Sequence, residues 1–164
     1  PAAGGLPVDA PSPLVTFPEN SGMEALAVDP TRGPGASGAY LTAGEESGQT
    51  WRCSLMAGCT AGPTIDKAPE FGVVAARHYA ADRTVWLLRS FAPTTGNVII
   101  IRIVDDRGRT IHEERLRRPL TVDNFEGVSV VRRRGGVLRF YIMSDDNFST
   151  EQRTLLLAFD WPAR

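Results

Sequence analysis

The sequence predicts an all-β protein built from antiparallel hairpins. Its 16 glycines and 12 prolines separate short runs of β-favouring residues, a pattern typical of chains with many turns. Lead strands identified at Glu24, Phe71 and Glu126 recur roughly every 50 residues, the length of a four-stranded propeller blade with its loops. We therefore expect a β-propeller-like fold with about three blades of antiparallel sheet. A compact three-sheet β domain is the alternative.

The first two thirds of the chain contain the clearest strand patterns. We expect a hairpin at 23–28 and 39–43 with a Pro- and Gly-rich turn between, a third strand at 50–54, and hairpins at 71–76 with 84–89 and at 97–104 with 110–116. Residues 105–109 form the Asp- and Gly-containing turn of the last of these hairpins.

The C-terminal third contains one long hairpin and a final apolar strand. Residues 123–130 and 140–149 flank the polar, Gly-containing turn 132–136, which predicts two antiparallel strands. Residues 155–159 show no polar alternation, so we expect a strand that is buried on both faces.

Three blades do not close a propeller, because closed propellers typically have four to eight blades. We therefore expect residues 14–161 to be the C-terminal half of a larger propeller, preceded by a linker or edge segment at 1–13 and followed by a tail at 162–164. The expected partner is the other half, missing or supplied by a separate chain. The chain begins at Pro1 without a signal region, which fits a removed targeting segment or a fragment.

Composition argues against several classes of function. The net charge of −1 gives no general attraction to nucleic acid or to anionic membranes, and the apolar runs are too short to span a bilayer. The sequence contains no Gly-x-Ser-x-Gly elbow, no phosphate-binding Gly loop ending in Lys-Ser/Thr and no His-Glu-x-x-His, so serine-triad chemistry is unsupported.

The hairpins are expected to bring charged side chains to one opening, because strand starts and hairpin returns face the same mouth of a propeller. The expected set is Glu24 with Glu45 or Glu46, Arg89, and Glu126 with Asp145 or Asp146. Two unit charges 4 Å apart repel by about 4 kcal/mol at an effective dielectric near 20, so these acids require a cation, an arginine or a proton.

Oxygen ligands of this kind suit calcium or magnesium better than zinc. Arg89 and Arg153 are candidates to pair with the acids or to bind a substrate phosphate or carboxylate. A structural interpretation stays open, because Asp145-Asp146-Asn147 also suits a turn. Cys53 and Cys59 are a poor zinc site, but they can close as a disulfide in an oxidising compartment.

The strongest family resemblance lies in the same C-terminal hairpin. The segments on which the resemblance rests are Asp123-Asn124-Phe125-Glu126-Gly127 and Ser144-Asp145-Asp146-Asn147-Phe148-Ser149, followed by Gln152-Arg153-Thr154-Leu155-Leu156. Two earlier segments resemble the family more weakly: Asn20-Ser21-Gly22-Met23-Glu24-Ala25-Leu26-Ala27 and Leu87-Leu88-Arg89-Ser90-Phe91. Over residues 14–161 the chain resembles the C-terminal half of the bacterial phytase-like family, "esterase-like activity of phytase". Such proteins are propeller-like and exported, which implies a periplasmic or secreted location.

The resemblance implies a hydrolase of phosphate or carboxylic esters, with calcium as the expected cofactor. By motif position, the carried-over residues are Glu24, Glu45, Arg89, Glu126 and Asp145. Our hypothesis is metal-assisted attack of water: Glu24, Glu45, Glu126 and Asp145 hold the cation, Arg89 and Arg153 bind a small anionic substrate, and Glu126, Asp145 and Arg89 are catalytic. A non-catalytic binding or scaffold module, or one half of a two-chain propeller, is the alternative.

Overall fold

A computed structural model describes residues 9–19, 21–29 and 38–162. Parts of the predicted linker 1–13, of the predicted Pro- and Gly-rich turn after the first strand and of the predicted tail 162–164 therefore lie outside the described residues. The described chain is all-β, as predicted. Its strands are β1 Met23–Val28, β2 Tyr40–Gly44, β3 Gln49–Ser54, β4 Gly58–Thr64, β5 Gly72–Ala80, β6 Arg83–Ala92, β7 Gly96–Asp105, β8 Thr110–Leu116, β9 Phe125–Arg132, β10 Val137–Ser144 and β11 Leu156–Pro162.

The described strands form three antiparallel sheets. Sheet one is a four-stranded meander in the order β1-β2-β3-β4, and sheet two repeats this arrangement with β5-β6-β7-β8. Sheet three has three strands in the order β11-β10-β9. Each sheet therefore begins with a lead strand, β1, β5 or β9, that pairs with the next strand along the chain. The described strands do not join into a closed ring of sheets.

Sheet two is the middle layer, and both of its faces are buried. Alternate side chains of β7 illustrate this: Ile100 belongs to the apolar cluster shared with sheet one, whereas Ile99 and Ile101 belong to the cluster shared with sheet three. Continuous apolar runs are typical of strands covered on both faces, and burying an Ile or Leu side chain fully contributes about 1.5–3 kcal/mol. The two interfaces on sheet two therefore supply the core.

The prediction that residues 155–159 form a strand buried on both faces is wrong in its second part. The strand exists as β11, but it is the edge strand of sheet three, and its residues alternate between exposed and half-buried. Leu157 and Phe159 pack on the core, while Leu156 is 68% exposed. The apolar run correctly predicted a strand, but how much of the strand is buried depends on its place in the sheet, and β11 lies at an edge.

The cysteine loop is part of a hairpin rather than a connection between elements. Cys53 on β3 lies opposite Cys59 on β4, and the two sulfur atoms are bonded. The segment before β1 covers the same sheet: the Tyr40 hydroxyl donates to the carbonyl oxygen of Pro11, and the ring of Phe17 meets Trp51 edge-on at 5.8 Å. Residues 9–19 thus lie across the outer face of sheet one.

None of the described residues lies in a helix long and apolar enough to cross a membrane.

Candidate functional site

Each lead strand carries a β-bulge near its start. The pairing of β1 with β2 shifts between Met23 and Ala25, which leaves Glu24 unpaired, and the pairing of β9 with β10 skips Glu126 in the same way. In sheet two the residue skipped is Val74. Bulges change the direction of a side chain and are frequent next to active sites. The prediction aligned the middle repeat on Phe71, three residues before the position that the register identifies.

The residues that follow the pairing next to each bulge are also equivalent. Gly44, Leu88 and Ser144 each pair with the residue just before a bulge, so the next residues in the chain correspond: Glu45, Arg89 and Asp145. The backbone N–H groups of Glu45 and Asp145 donate to the carbonyl oxygens of Gly22 and Asn124, each at 3.0 Å. The repeat therefore puts two acids and one arginine in corresponding places at one end of the sheets.

Arg89 is the centre of the charged cluster. Its Nη1 donates to Oδ1 of Asn124, and its Nη2 lies 3.4 Å from Oε1 of Glu126 and 3.9 Å from Oε1 of Glu45. The three charged side chains are only 21–33% exposed. One guanidinium group therefore joins acids from sheet one and sheet three, while its buried Nε has no hydrogen-bond partner among the described residues.

Asn124 holds this arrangement in place from a fully buried position, with 0% exposure. Its amide oxygen accepts from Arg89, and its amide nitrogen donates to Oε1 of Glu126 at 2.9 Å and to the carbonyl oxygen of Asp145 at 3.3 Å. Asn124 was predicted only as part of a family motif and not as a site residue, because a neutral amide gives no charge signal. Its location just before a lead strand was the only available clue.

Glu45 is the acid with the most unusual environment. Burial raises the pKa of its carboxyl group, the carboxylate of Glu24 raises it further, and Arg89 opposes both effects. A Cβ atom added to Gly72, which lies opposite Arg89 in the β5–β6 pairing, would come within 2.8 Å of Cγ and Oε1 of Glu45. Glycine at this position therefore leaves the space that the Glu45 side chain occupies.

The carboxylates of the C-terminal turn have structural partners. Oδ1 of Asp145 accepts the backbone N–H of Asn147 at 3.0 Å, so the carboxylate of this exposed residue is used within the turn. Asp145 contacts the cluster through its carbonyl oxygen, which accepts from the side-chain amide of Asn124. The carboxylate of Asp146 accepts from the N–H of Phe148 and from the hydroxyl of Thr154. These contacts are those of an Asx-type turn, the structural alternative that the sequence left open.

Arg153 lies beside the cluster but pairs elsewhere. Its Nε is 3.5 Å from Oδ2 of Asp123, the buried neighbour of Asn124, and its own side chain is 61% exposed. The structure thus brings four predicted site residues, Glu24, Glu45, Arg89 and Glu126, into electrostatic contact around Glu45. Asp145 and Arg153 border them, one by its backbone and the other through Asp123.

A cleft of about 450 Å³ opens next to Arg89. Its charged lining residues are Glu45, Glu46, Glu70 and Arg89. The ring of Phe91 stands at its side with 64% of the residue exposed. The cleft is therefore large enough for a small ligand and combines one cationic group with acids and an aromatic surface.

The geometry of the described residues does not by itself identify a metal site. The described ranges contain no group of three or more His, Cys, Asp or Glu side chains arranged to hold a metal ion. Arg89 instead supplies the positive charge between Glu45 and Glu126. The calcium expectation stays a prediction.

Comparison with known proteins identifies one family. The family model described as "Phytase-like: Esterase-like activity of phytase" matches residues 3–148, which include all the residues that contact Arg89 in the cluster. No curated protein matches the chain at a significant level.

Proposed function

Because the chain belongs to the phytase-like family, we propose that it is a hydrolase of phosphate or carboxylic esters and that the cleft beside Arg89 is its reaction site. The pairing of Arg89 with Glu45 and Glu126 carries the proposal, because Arg89 and Glu45 line this cleft. A pocket with a few convergent polar groups and a carboxyl group of shifted pKa is the arrangement expected of an active site.

In the proposed mechanism, Arg89 binds the charged or polarised oxygen of the ester. A guanidinium group suits this task because its planar donors match phosphate and carboxylate oxygens. The raised pKa of Glu45 keeps its proton available closer to neutral pH, so Glu45 acts as the general acid that protonates the leaving oxygen. Glu126, which Asn124 orients at 2.9 Å, acts as the base that activates water. Asp145 and Arg153 lie at the edge of this site, where Asp145 contacts Asn124 through its carbonyl oxygen and Arg153 pairs with Asp123.

The test is an ester hydrolysis assay with p-nitrophenyl phosphate and p-nitrophenyl acetate, each with and without chelator. We expect activity in the unmodified chain and a loss of at least roughly 100-fold in Arg89→Met and in Glu126→Gln, in line with the usual effect of removing a transition-state contact. The matched control is Arg139→Met, which removes an arginine that pairs with Asp160 on sheet three. Equal activity in Arg89→Met and Arg139→Met would rule out a role for Arg89.

A non-catalytic role is the second candidate, and one observation favours it. Arg89 and Asn124 tie sheet two to sheet three, and the pairing of Arg89 with Glu45 adds sheet one. Ion pairs and buried amide contacts of this kind also fit a purely structural junction. If Arg89→Met lowers thermal stability and the unmodified chain hydrolyses no ester, the junction is a scaffold and the chain is a binding module.

We also propose that the three sheets are part of a larger propeller whose other half covers both outer sheets. The support is the exposed apolar surface at the two ends: Leu26 and Val28 of sheet one are 66% and 69% exposed, and Met143 and Leu156 of sheet three are 54% and 68% exposed. Exposed apolar side chains grouped in this way mark interaction surfaces. Intact-mass analysis and co-purification from the native source test this, since a stable monomeric chain of this length would contradict it.

A further inference from the structure

The charges that line the cleft carry an inference about its substrate, which rests on the function proposed above. Three glutamates, Glu45, Glu46 and Glu70, line the cleft with a single arginine. Glu24 and Glu126 lie close enough to Glu45 to raise the pKa of its carboxyl group. Arg89 is already engaged by Asn124 and by two carboxylates. The positive charge in the cleft is therefore outnumbered and largely neutralised.

A second guanidinium packed against the cleft wall does not change this balance. Arg115 lies over the ring of Phe71 at 5.3 Å from its centroid, and Phe71, itself 4% exposed, forms part of the cleft wall. Arg115 is not among the residues that line the cleft. A phosphate group in the cleft would thus meet one arginine and several carboxylates, and each further phosphate would be repelled by the carboxylates close to it.

The aromatic surface indicates what the remainder of the ligand contains. Phe91, an exposed residue, lies beside the cleft, next to Ser90, which offers a hydroxyl group. An aromatic side chain at the side of a pocket contributes binding through apolar contact and ring stacking. It gives no advantage to a ligand covered with phosphate groups.

We propose that the cleft takes esters with at most one negatively charged group next to an apolar or aromatic group, and that it rejects polyphosphorylated substrates when no metal ion is supplied. Arg89 binds the single anionic or carbonyl oxygen. The ring of Phe91 contacts the apolar part. Glu46 and Glu70 exclude further negative charge by repulsion.

A series of substrates of increasing charge tests the proposal in chelator-treated buffer. The series is p-nitrophenyl acetate, p-nitrophenyl phosphate and myo-inositol hexakisphosphate. We expect kcat/KM for the hexakisphosphate to be at least about tenfold below that for the better p-nitrophenyl ester. Phe91→Ala should raise KM for the p-nitrophenyl esters several-fold. Glu46→Gln with Glu70→Gln should strengthen inhibition by the hexakisphosphate, whereas Glu151→Gln, an exposed acid outside the cleft lining, should not.

The outcomes separate this inference from the proposed function. Faster hydrolysis of the hexakisphosphate than of the p-nitrophenyl esters overturns the inference and leaves the hydrolase proposal intact. If no ester is hydrolysed, the hydrolase proposal fails, and calorimetric titration with p-nitrophenyl phosphate and with the hexakisphosphate still decides the charge preference. Tighter Arg89-dependent binding of the hexakisphosphate in that titration would overturn it as well.

Discussion

Arg89 near the end of β6 donates a hydrogen bond to Asn124, the residue that precedes β9. This contact joins the middle sheet to sheet three at the end of the sheets where the bulge residues Glu24 and Glu126 lie. The same asparagine orients Glu126, so the position of the Glu126 carboxyl group depends on a buried, neutral side chain.

Replacement of Asn124 should therefore destabilise the fold. Asn124→Ala removes contacts to Arg89, to Glu126 and to the carbonyl oxygen of Asp145 and leaves buried groups without partners, so we expect a loss of about 2–3 kcal/mol. Urea unfolding measures the change. Ser129→Ala, at an exposed position of β9, is the control and should stay within about 0.5 kcal/mol. Similar midpoints for both variants would contradict the proposed importance of the buried amide.

Glu45 should give stability a specific pH dependence. Because the pKa of its carboxyl group is raised in the folded state, its contribution is fully present below the ordinary value of 4.5 and is lost as pH rises through the higher folded value. The stability of the unmodified chain relative to Glu45→Gln should fall over that range, by less than about 1 kcal/mol because the group is partly solvated.

Unfolding free energies of both chains from pH 4 upward, at roughly half-unit steps and constant ionic strength, measure this difference. Glu151→Gln, at an exposed position before β11, is the control and should show no such trend. If the stability of the unmodified chain relative to Glu45→Gln instead rises with pH, the pairing of the Glu45 carboxylate with Arg89 outweighs the effects of burial and of the neighbouring acids on its pKa.

Gly72 offers a way to move Glu45 without changing its charge. In Gly72→Ala the new Cβ would stand 2.8 Å from Cγ and Oε1 of Glu45, so the flexible side chain must shift. We expect ester hydrolysis to fall at least about tenfold if Glu45 is the general acid, with little loss of stability because a mobile side chain can move aside. Gly22→Ala is a matched control, since nothing lies within 4 Å of its added Cβ. Equal hydrolysis rates in the two variants would remove Glu45 from the mechanism.

The disulfide should stabilise sheet one by a modest amount. Cys53 and Cys59 are separated by 6 positions, and closing so short a loop contributes about 2 kcal/mol in the chain-entropy account. The double variant Cys53→Ser with Cys59→Ser should therefore unfold at lower urea concentration, and the unmodified chain with reductant should match it. Thiol titration of the denatured, unreduced protein gives the independent check, because two free thiols would show that the bond does not form.

The sequence was informative about the repeat and the charges that it carries. Glu24, Arg89 and Glu126 were predicted to face one opening from the positions of strand starts and returns, and they do meet around Glu45. This worked because hairpin geometry fixes which ends of two strands are adjacent. The all-β class followed from the same turns and strands.

Other features depended on tertiary contacts that the sequence pattern does not encode. The apolar residues 155–159 indicated a buried strand, but β11 became an edge strand, while the fully covered layer is sheet two. The role of Asn124 was missed because amides at strand entries are common and neutral. The bulges at Glu24 and Glu126 were missed because an unpaired residue leaves no mark in an otherwise ordinary strand pattern.

The close approach of Gly72 to Glu45 has a consequence for how this family can vary. A long acidic side chain at position 45 excludes a side chain at position 72 unless one of them moves. In relatives that keep Glu at the first position, we expect glycine at the second, whereas relatives with a short residue at the first should accept alanine or serine at the second. An alignment of family members would show this as correlated substitution between positions 45 and 72. We expect the correlation also in relatives whose site has lost or changed its activity, because it depends only on the space between the two residues.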